Sequence, residues 1–147
     1  MSRESDEKVQ EAMKFYDFIE VQPDIVSILI GVNDVWHQDW NKGVPLEDYK
    51  KNITAIFDKC AASNCQVVVL TATMFERPEM EKFKHNVMIA PYNEWLREEA
   101  KRRGYPVADL NADMWKAHAA DPSVKLTRDG VHMAYRGNCM MAWGVLR

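Results

Sequence analysis

Ile25-Val26-Ser27-Ile28-Leu29-Ile30-Gly31-Val32-Asn33-Asp34 is the stretch that decides the fold. Its first six residues are apolar at every position but Ser27, rich in β-branched side chains, and closed by a glycine. An apolar run that short, with no alternation, is the pattern of a strand covered on both faces, as in a parallel sheet. Pro23 and Asp24 separate it from what precedes. Working downstream, Leu46, Tyr49, Ile53, Ile56 and Phe57 fall on one side of a helix over 46–63. Gln66 to Ala72, with Val67-Val68-Val69-Leu70 at its centre, repeats the strand pattern. Residues 88–103 have helical periodicity and end in Lys101-Arg102-Arg103-Gly104, a cationic last turn before a glycine stop. Tyr105 to Leu110 predicts a third, shorter strand, followed by a partly helical linker to Asp121. A final helix is expected from Met133 onward, with Met140, Met141, Val145 and Leu146 on its apolar face. The segments 32–45 and 73–86 read as loops. Upstream, Val9, Met13, Phe15, Tyr16 and Ile19 predict a helix over 4–21, capped by Ser2 or Ser5. Helices alternating with strands predict an α/β layer fold on a parallel sheet.

Composition bounds what such a domain does. The chain has 147 residues, 47% of them hydrophobic and 28% charged, with a formal net charge of -3. One folded domain over 1–147 is the expectation, with enough length for a core. The charge balance argues against a nucleic-acid partner and against an anionic membrane surface. Cys60, Cys65 and Cys139 have neither pairing nor zinc spacing, which suits a reducing compartment. The opening MSRESDEK has no apolar signal-peptide core and no run is long enough to span a bilayer, so a cytoplasmic location is expected. No cofactor or metal is predicted; Asp34, His37 and Asp39 share a loop, but such a mixture is ordinarily solvated.

In parallel α/β sheets the chemistry gathers beyond the carboxyl ends of the strands. Gly31-Val32-Asn33-Asp34 follows the first strand, and Asp129-Gly130-Val131-His132 precedes the last helix. Asp129 and His132 are three residues apart, close enough in a turn for the carboxylate to fix the imidazole tautomer and stabilise its protonated form. Asn33 offers an amide donor of the kind that stabilises an oxyanion. Taken singly, a loop His–Asp pair is usually a plain hydrogen bond, and Asn-Asp after a strand is usually turn chemistry. Trp36, Trp40, Met74, Phe75 and Met80 lie in the loops expected to flank the crevice, where they either line a pocket or pack on the core. Cys139 in the last helix reads as a structural cysteine, and Asn52-Ile53-Thr54 is a formal sequon inside a predicted helix.

In this order the blocks resemble the SGNH (GDSL-type) ester hydrolase family. Pro23-Asp24-Ile25-Val26 running into Gly31-Val32-Asn33-Asp34 is similar to the family's strand and Gly-x-Asn-Asp block. Asp129-Gly130-Val131-His132, with Gly137 and Ala142 after it, is similar to the closing Asp-x-x-His block. Tyr92-Asn93 and Val107-Ala108-Asp109-Leu110 are similar to the family's penultimate helix start and last strand. The resemblance implies a three-layer α/β/α fold of flavodoxin-like type and hydrolysis of small acyl or aryl esters. It implies His132 as general base, Asp129 as its orienting carboxylate and Asn33 as oxyanion donor. The family's Gly-Asp-Ser block and its glycine block have no counterpart in these residues, so the resemblance implies a sheet missing its first two strands. The serine nucleophile is then absent, with Ser2 or Ser5 as substitutes, or water activated directly by His132. The alternative is a catalytically inactive relic serving as a binding or dimerisation module. Without its usual neighbour, the 25–30 strand would be an open edge, which predicts a homodimer through it.

Overall fold

The computed structural model describes residues 22–147. The expected helix over 4–21 and both serines, Ser2 and Ser5, lie outside the described residues. Three parallel strands form one sheet in the order β1-β2-β3: β1 is Ile25–Leu29, β2 Gln66–Leu70 and β3 Val107–Ala108. The register pairs Ile25 with Gln66 and Leu29 with Leu70, then Val69 with Val107 and Leu70 with Ala108. β3 is two residues long where the sequence predicts six, because Pro106 brings no N–H and Asp109 already caps the next helix.

Among the described residues, five helices flank the sheet: α1 Val32–Trp36, α2 Leu46–Ala62, α3 Lys84–Arg103, α4 Leu110–Ala120 and α5 Tyr135–Leu146. Alternate side chains of β2 sort the helices into layers. Val67 and Val69 join Ile28, Tyr49, Ile53, Phe57, Ile89 and Leu96 in the main core, beneath α2 and α3. Val68 and Leu70 face the other way, toward Ala108, Leu110 and Met141, beneath α4 and α5. The result is the expected three-layer α/β/α arrangement.

Differences from the sequence expectations have local causes. The loop expected after Gly31 contains α1 and a 3-10 turn, His37–Trp40, because Val35 is fully buried and the segment is tied down by side chains. Gln38 Nε2 donates to the carbonyls of Asp34 and Val44 and to the Tyr92 hydroxyl, and that hydroxyl donates to the Val44 carbonyl. α3 begins at Lys84 rather than 88, since the polar first turn is used inward: Asn86 is 7% exposed and its amide binds the 75–80 backbone. Pro91 lies inside α3, where it removes one backbone donor. The expected linker is a full helix, α4, capped by Asp109 Oδ1 accepting from the Ala112 N–H at 3.2 Å. Among the described residues, no helix is long and apolar enough to cross a membrane.

Candidate active site

β1 delivers the first half of the site. Gly31 has φ 139°, and a Cβ there would meet Ala72 Cβ at 2.9 Å, so neither its backbone angle nor its surroundings suit a side chain. The Tyr49 hydroxyl donates to the Ile30 carbonyl at 3.2 Å, fixing where the strand stops. Burial pushes that hydroxyl's pKa well above the usual phenol range, with nearby Asp34 adding to the shift. α1 starts at once, placing Asn33 in its first turn at the rim of a cleft. Asp34 lies in the same turn, and burial raises its carboxyl above the usual range against the opposing pull of backbone hydrogen bonds.

The second half is a tight loop over 127–133, closed by a bridge between Thr127 and Met133. Asp129 Oδ2 bonds His132 Nδ1 at 2.7 Å, while Asp129 Oδ1 accepts the backbone N–H groups of Val131 at 3.0 Å and His132 at 2.8 Å. The His132 backbone N–H is the largest influence holding the Asp129 carboxyl far below the usual carboxylate range; the imidazole follows, then the Val131 N–H. Asp129 therefore stays ionised and keeps Nδ1 as the donor, leaving Nε2 as the basic nitrogen. Nε2 has no partner among the described residues.

Glu76 anchors this loop. Its carboxylate accepts the N–H groups of Leu126 at 3.1 Å and Thr127 at 2.9 Å and the Thr127 hydroxyl at 2.5 Å. Burial disfavours that charge, but the bonds from Thr127 and Leu126 outweigh it and the carboxyl lies below its ordinary value. The Glu76 N–H in turn donates to the Gly130 carbonyl at 2.8 Å. Gly130 has φ 89°, and a Cβ there would meet the Glu76 carbonyl oxygen at 2.7 Å. The segment after β2 is itself held from α3: Asn93 bonds both the N–H and the carbonyl of Ala72, and Asn86 does the same at Phe75.

Asn33 and His132 share one cleft of about 390 Å³, with Asp34 and Thr73. Its remaining walls are apolar, from Leu29, Ile30, Val32, Val131, Met133 and Met141, with Gly31 at the base of the Asn33 turn. The edge of Trp36 meets the His132 ring at 6.3 Å between centroids, and Trp40 packs on Trp36 with more than half its surface exposed. Met74, Phe75 and Met80 do not line this cleft; they are core residues. Asp39 is engaged elsewhere, paired with Lys84 at 2.6 Å and within 3.0 Å of His85. Cys139 is exposed on α5, not buried.

The sequence patterns brought out Asn33, Asp129 and His132, and missed Glu76, Thr73 and Asn86. A lone glutamate in a charged irregular stretch carries no sign that it will bind a segment fifty residues on. Asn86 could have been found, since a buried amide in a helix's first turn implies backbone to satisfy.

His132, paired with Asp129, and Asn33 thus meet at one cleft at the carboxyl end of a parallel sheet in an α/β protein, the place where such folds gather their chemistry. The chain belongs to the GDSL-like lipase/acylhydrolase family, whose model matches residues 5–138. Its fold is similar to that of a catalytic mutant of Axe2, an acetylxylan esterase from Geobacillus stearothermophilus. That pair has TM-score 0.81 and 22% identity over 95% of this chain and 65% of the other. LAE5, an alpha/beta hydrolase enzyme from the metagenome of Lake Arreo, Spain, matches with TM-score 0.80 and 24% identity over 92% of this chain and 63% of its own. The acetyl xylan esterase AlAXEase matches with TM-score 0.79 and 25% identity over 93% and 74%. The chain thus spans slightly less than two thirds of the length of Axe2 and LAE5. No curated protein matches it.

Proposed function

We propose that this chain hydrolyses small carboxylic esters, acyl or aryl, through His132, Asp129 and Asn33. The observation that carries the reading is the 2.7 Å bond from His132 Nδ1 to an ionised Asp129, with Nε2 unpartnered among the described residues and His132 in a cleft that Asn33 also lines. In the reaction, His132 Nε2 takes the proton of a hydroxyl nucleophile as its oxygen adds to the ester carbonyl. Asn33 Nδ2 donates to the resulting oxyanion. Collapse expels the alkoxide, which receives the proton back from Nε2. The hydroxyl is that of Ser2 or Ser5, or water. With serine the collapse leaves an acyl-enzyme, which water, deprotonated by the same Nε2, then hydrolyses to release the acid and restore the serine; with water the acid forms in one addition and one collapse. The apolar walls limit the acyl group to a short one. Acetyl is the first candidate, consistent with what Axe2 and AlAXEase act on.

A second reading rests on the outer surface of β1. Ile25 is 59% exposed and Leu29 42% exposed on a strand with a neighbour on one side only among the described residues. In that reading the chain is a non-enzymatic binding or dimerisation module, and two copies pair through the 25–30 strands. A fluorophosphonate probe followed by mass spectrometry separates the readings: labelling at Ser2 or Ser5 supports the serine route. Hydrolysis of p-nitrophenyl acetate that is lost in His132→Ala without labelling supports water. A chain that does neither is the binding module.

A further inference from the structure

Three threonines of this chain are almost fully buried near the site: Thr71, Thr73 and Thr127. Two of them are saturated. The Thr71 hydroxyl donates to Asp109 Oδ1 at 3.0 Å and accepts the Asn111 N–H at 2.9 Å. The Thr127 hydroxyl donates to Glu76 and accepts the Gly130 N–H at 3.0 Å. Thr73 is 5% exposed, and its hydroxyl has no hydrogen-bond partner among the described residues. Among the described residues, the fully buried side-chain polar atoms without a partner belong to His85 alone, so the Thr73 hydroxyl is not wholly enclosed, and the space that Thr73 lines is the cleft. Burying a hydroxyl without a partner is unfavourable, and valine has the same shape without that cost. A threonine kept there, on a wall shared with Asn33 and His132, is suited to a partner that arrives with the ligand.

We infer that Thr73 Oγ1 is a substrate-binding group, donating to the acyl carbonyl oxygen alongside Asn33 Nδ2. The inference rests on the ester-cleft reading above and adds to it a second donor that no motif marks. The carbonyl is the acceptor of choice because it needs donors, and Asn33 and Thr73 supply them in a cleft whose other polar groups are the Asp34 carboxylate, which only accepts when ionised, and His132. The ligand class is a short acyl compound whose carbonyl lies between those donors and whose alkyl group lies against Val131 and Met133.

The test uses acetanilide, an amide with the acetyl carbonyl but no hydrolysis during the measurement, titrated by NMR into wild type, Thr73→Val and Thr73→Ser. Wild type should bind in the cleft, with shifts at Thr73 and Val131. Thr73→Val should weaken binding about three- to tenfold, the worth of one neutral hydrogen bond. Thr73→Ser should stay within about twofold, and unliganded Thr73→Val should melt at or above the wild-type temperature. An unchanged dissociation constant in Thr73→Val, no binding by wild type, or a lower melting temperature for unliganded Thr73→Val would each overturn the inference. Ester hydrolysis insensitive to His132→Ala would remove the catalytic reading instead, and the acetanilide result would still decide Thr73.

Discussion

Asp129 shows how much of this site is held by two carboxylate oxygens. One carboxylate oxygen is saturated by two backbone N–H groups and the other by the imidazole, so the same residue shapes the loop and sets the tautomer. Asp129→Asn keeps an acceptor for the backbone but removes the charge. It should fold with near wild-type stability and lose about a thousandfold or more of any His132-dependent hydrolysis, read as kcat on p-nitrophenyl acetate. Gly31 carries a different constraint, since its positive φ and its contact with Ala72 are what let Asn33 follow β1 directly. Gly31→Ala should cost roughly 2–4 kcal/mol of stability in urea denaturation. At this scale the sequence was readable where chemistry and spacing coincide, as at Asp129 and His132. It was silent where the role depends on a distant partner: Glu76 acts on residues 126 and 127, and nothing within its own segment says so.

Among the elements, the strands and long helices follow from periodicity because their burial is regular: Tyr49, Ile53, Phe57 and Cys60 mark one face of α2. α4 escaped that logic, since only Leu110 and Met114 are buried along it and its start depends on the Asp109 cap. Its position is set by charge: Arg97 of α3 makes two bonds to Asp109, which burial would otherwise disfavour as an anion. A similar joint ties α3 to α2. Glu99 binds Arg102 and Arg103, Arg103 reaches Asp58 at 2.7 Å, and its guanidinium lies over the Phe57 ring. The Arg102 hydrogen bond is the largest influence drawing the Glu99 carboxyl down to about 2; burial opposes it and Arg103 assists. A carboxyl lowered on folding stabilises the native state above its unfolded pKa of about 4.5 and loses that contribution as pH falls toward 2. Glu99→Gln should therefore be less stable than wild type by roughly 1–3 kcal/mol at pH 7, with the gap closing between pH 4.5 and 2 in thermal melts.

The whole molecule presents two faces of different character. The cleft face is assembled from three separated segments, 29–34, 73 and 131–141, held by the amides of α3 and by Glu76. The other is the edge of β1, which has no neighbouring strand on that side among the described residues and exposes Ile25; α5 separately exposes Trp143 at 66% and Leu146 at 83%. The sequence made the cleft legible through its motifs and the open β1 edge through the strands that the resemblance leaves without a counterpart, whereas the exposure of Trp143 and Leu146 on α5 emerged only from the structure. If the second face pairs two copies, sedimentation velocity should show a dimer at micromolar concentration, reduced to monomer by Ile25→Lys; a wild-type monomer at that concentration would contradict pairing. Everything proposed for the cleft rests on ester hydrolysis by the His132–Asp129 pair. Its most direct test is the rate of p-nitrophenyl acetate hydrolysis by wild type and His132→Ala under identical conditions. The wild-type rate should exceed that of buffer and fall to the buffer rate in the variant; equal rates for the two proteins would contradict hydrolysis through this pair.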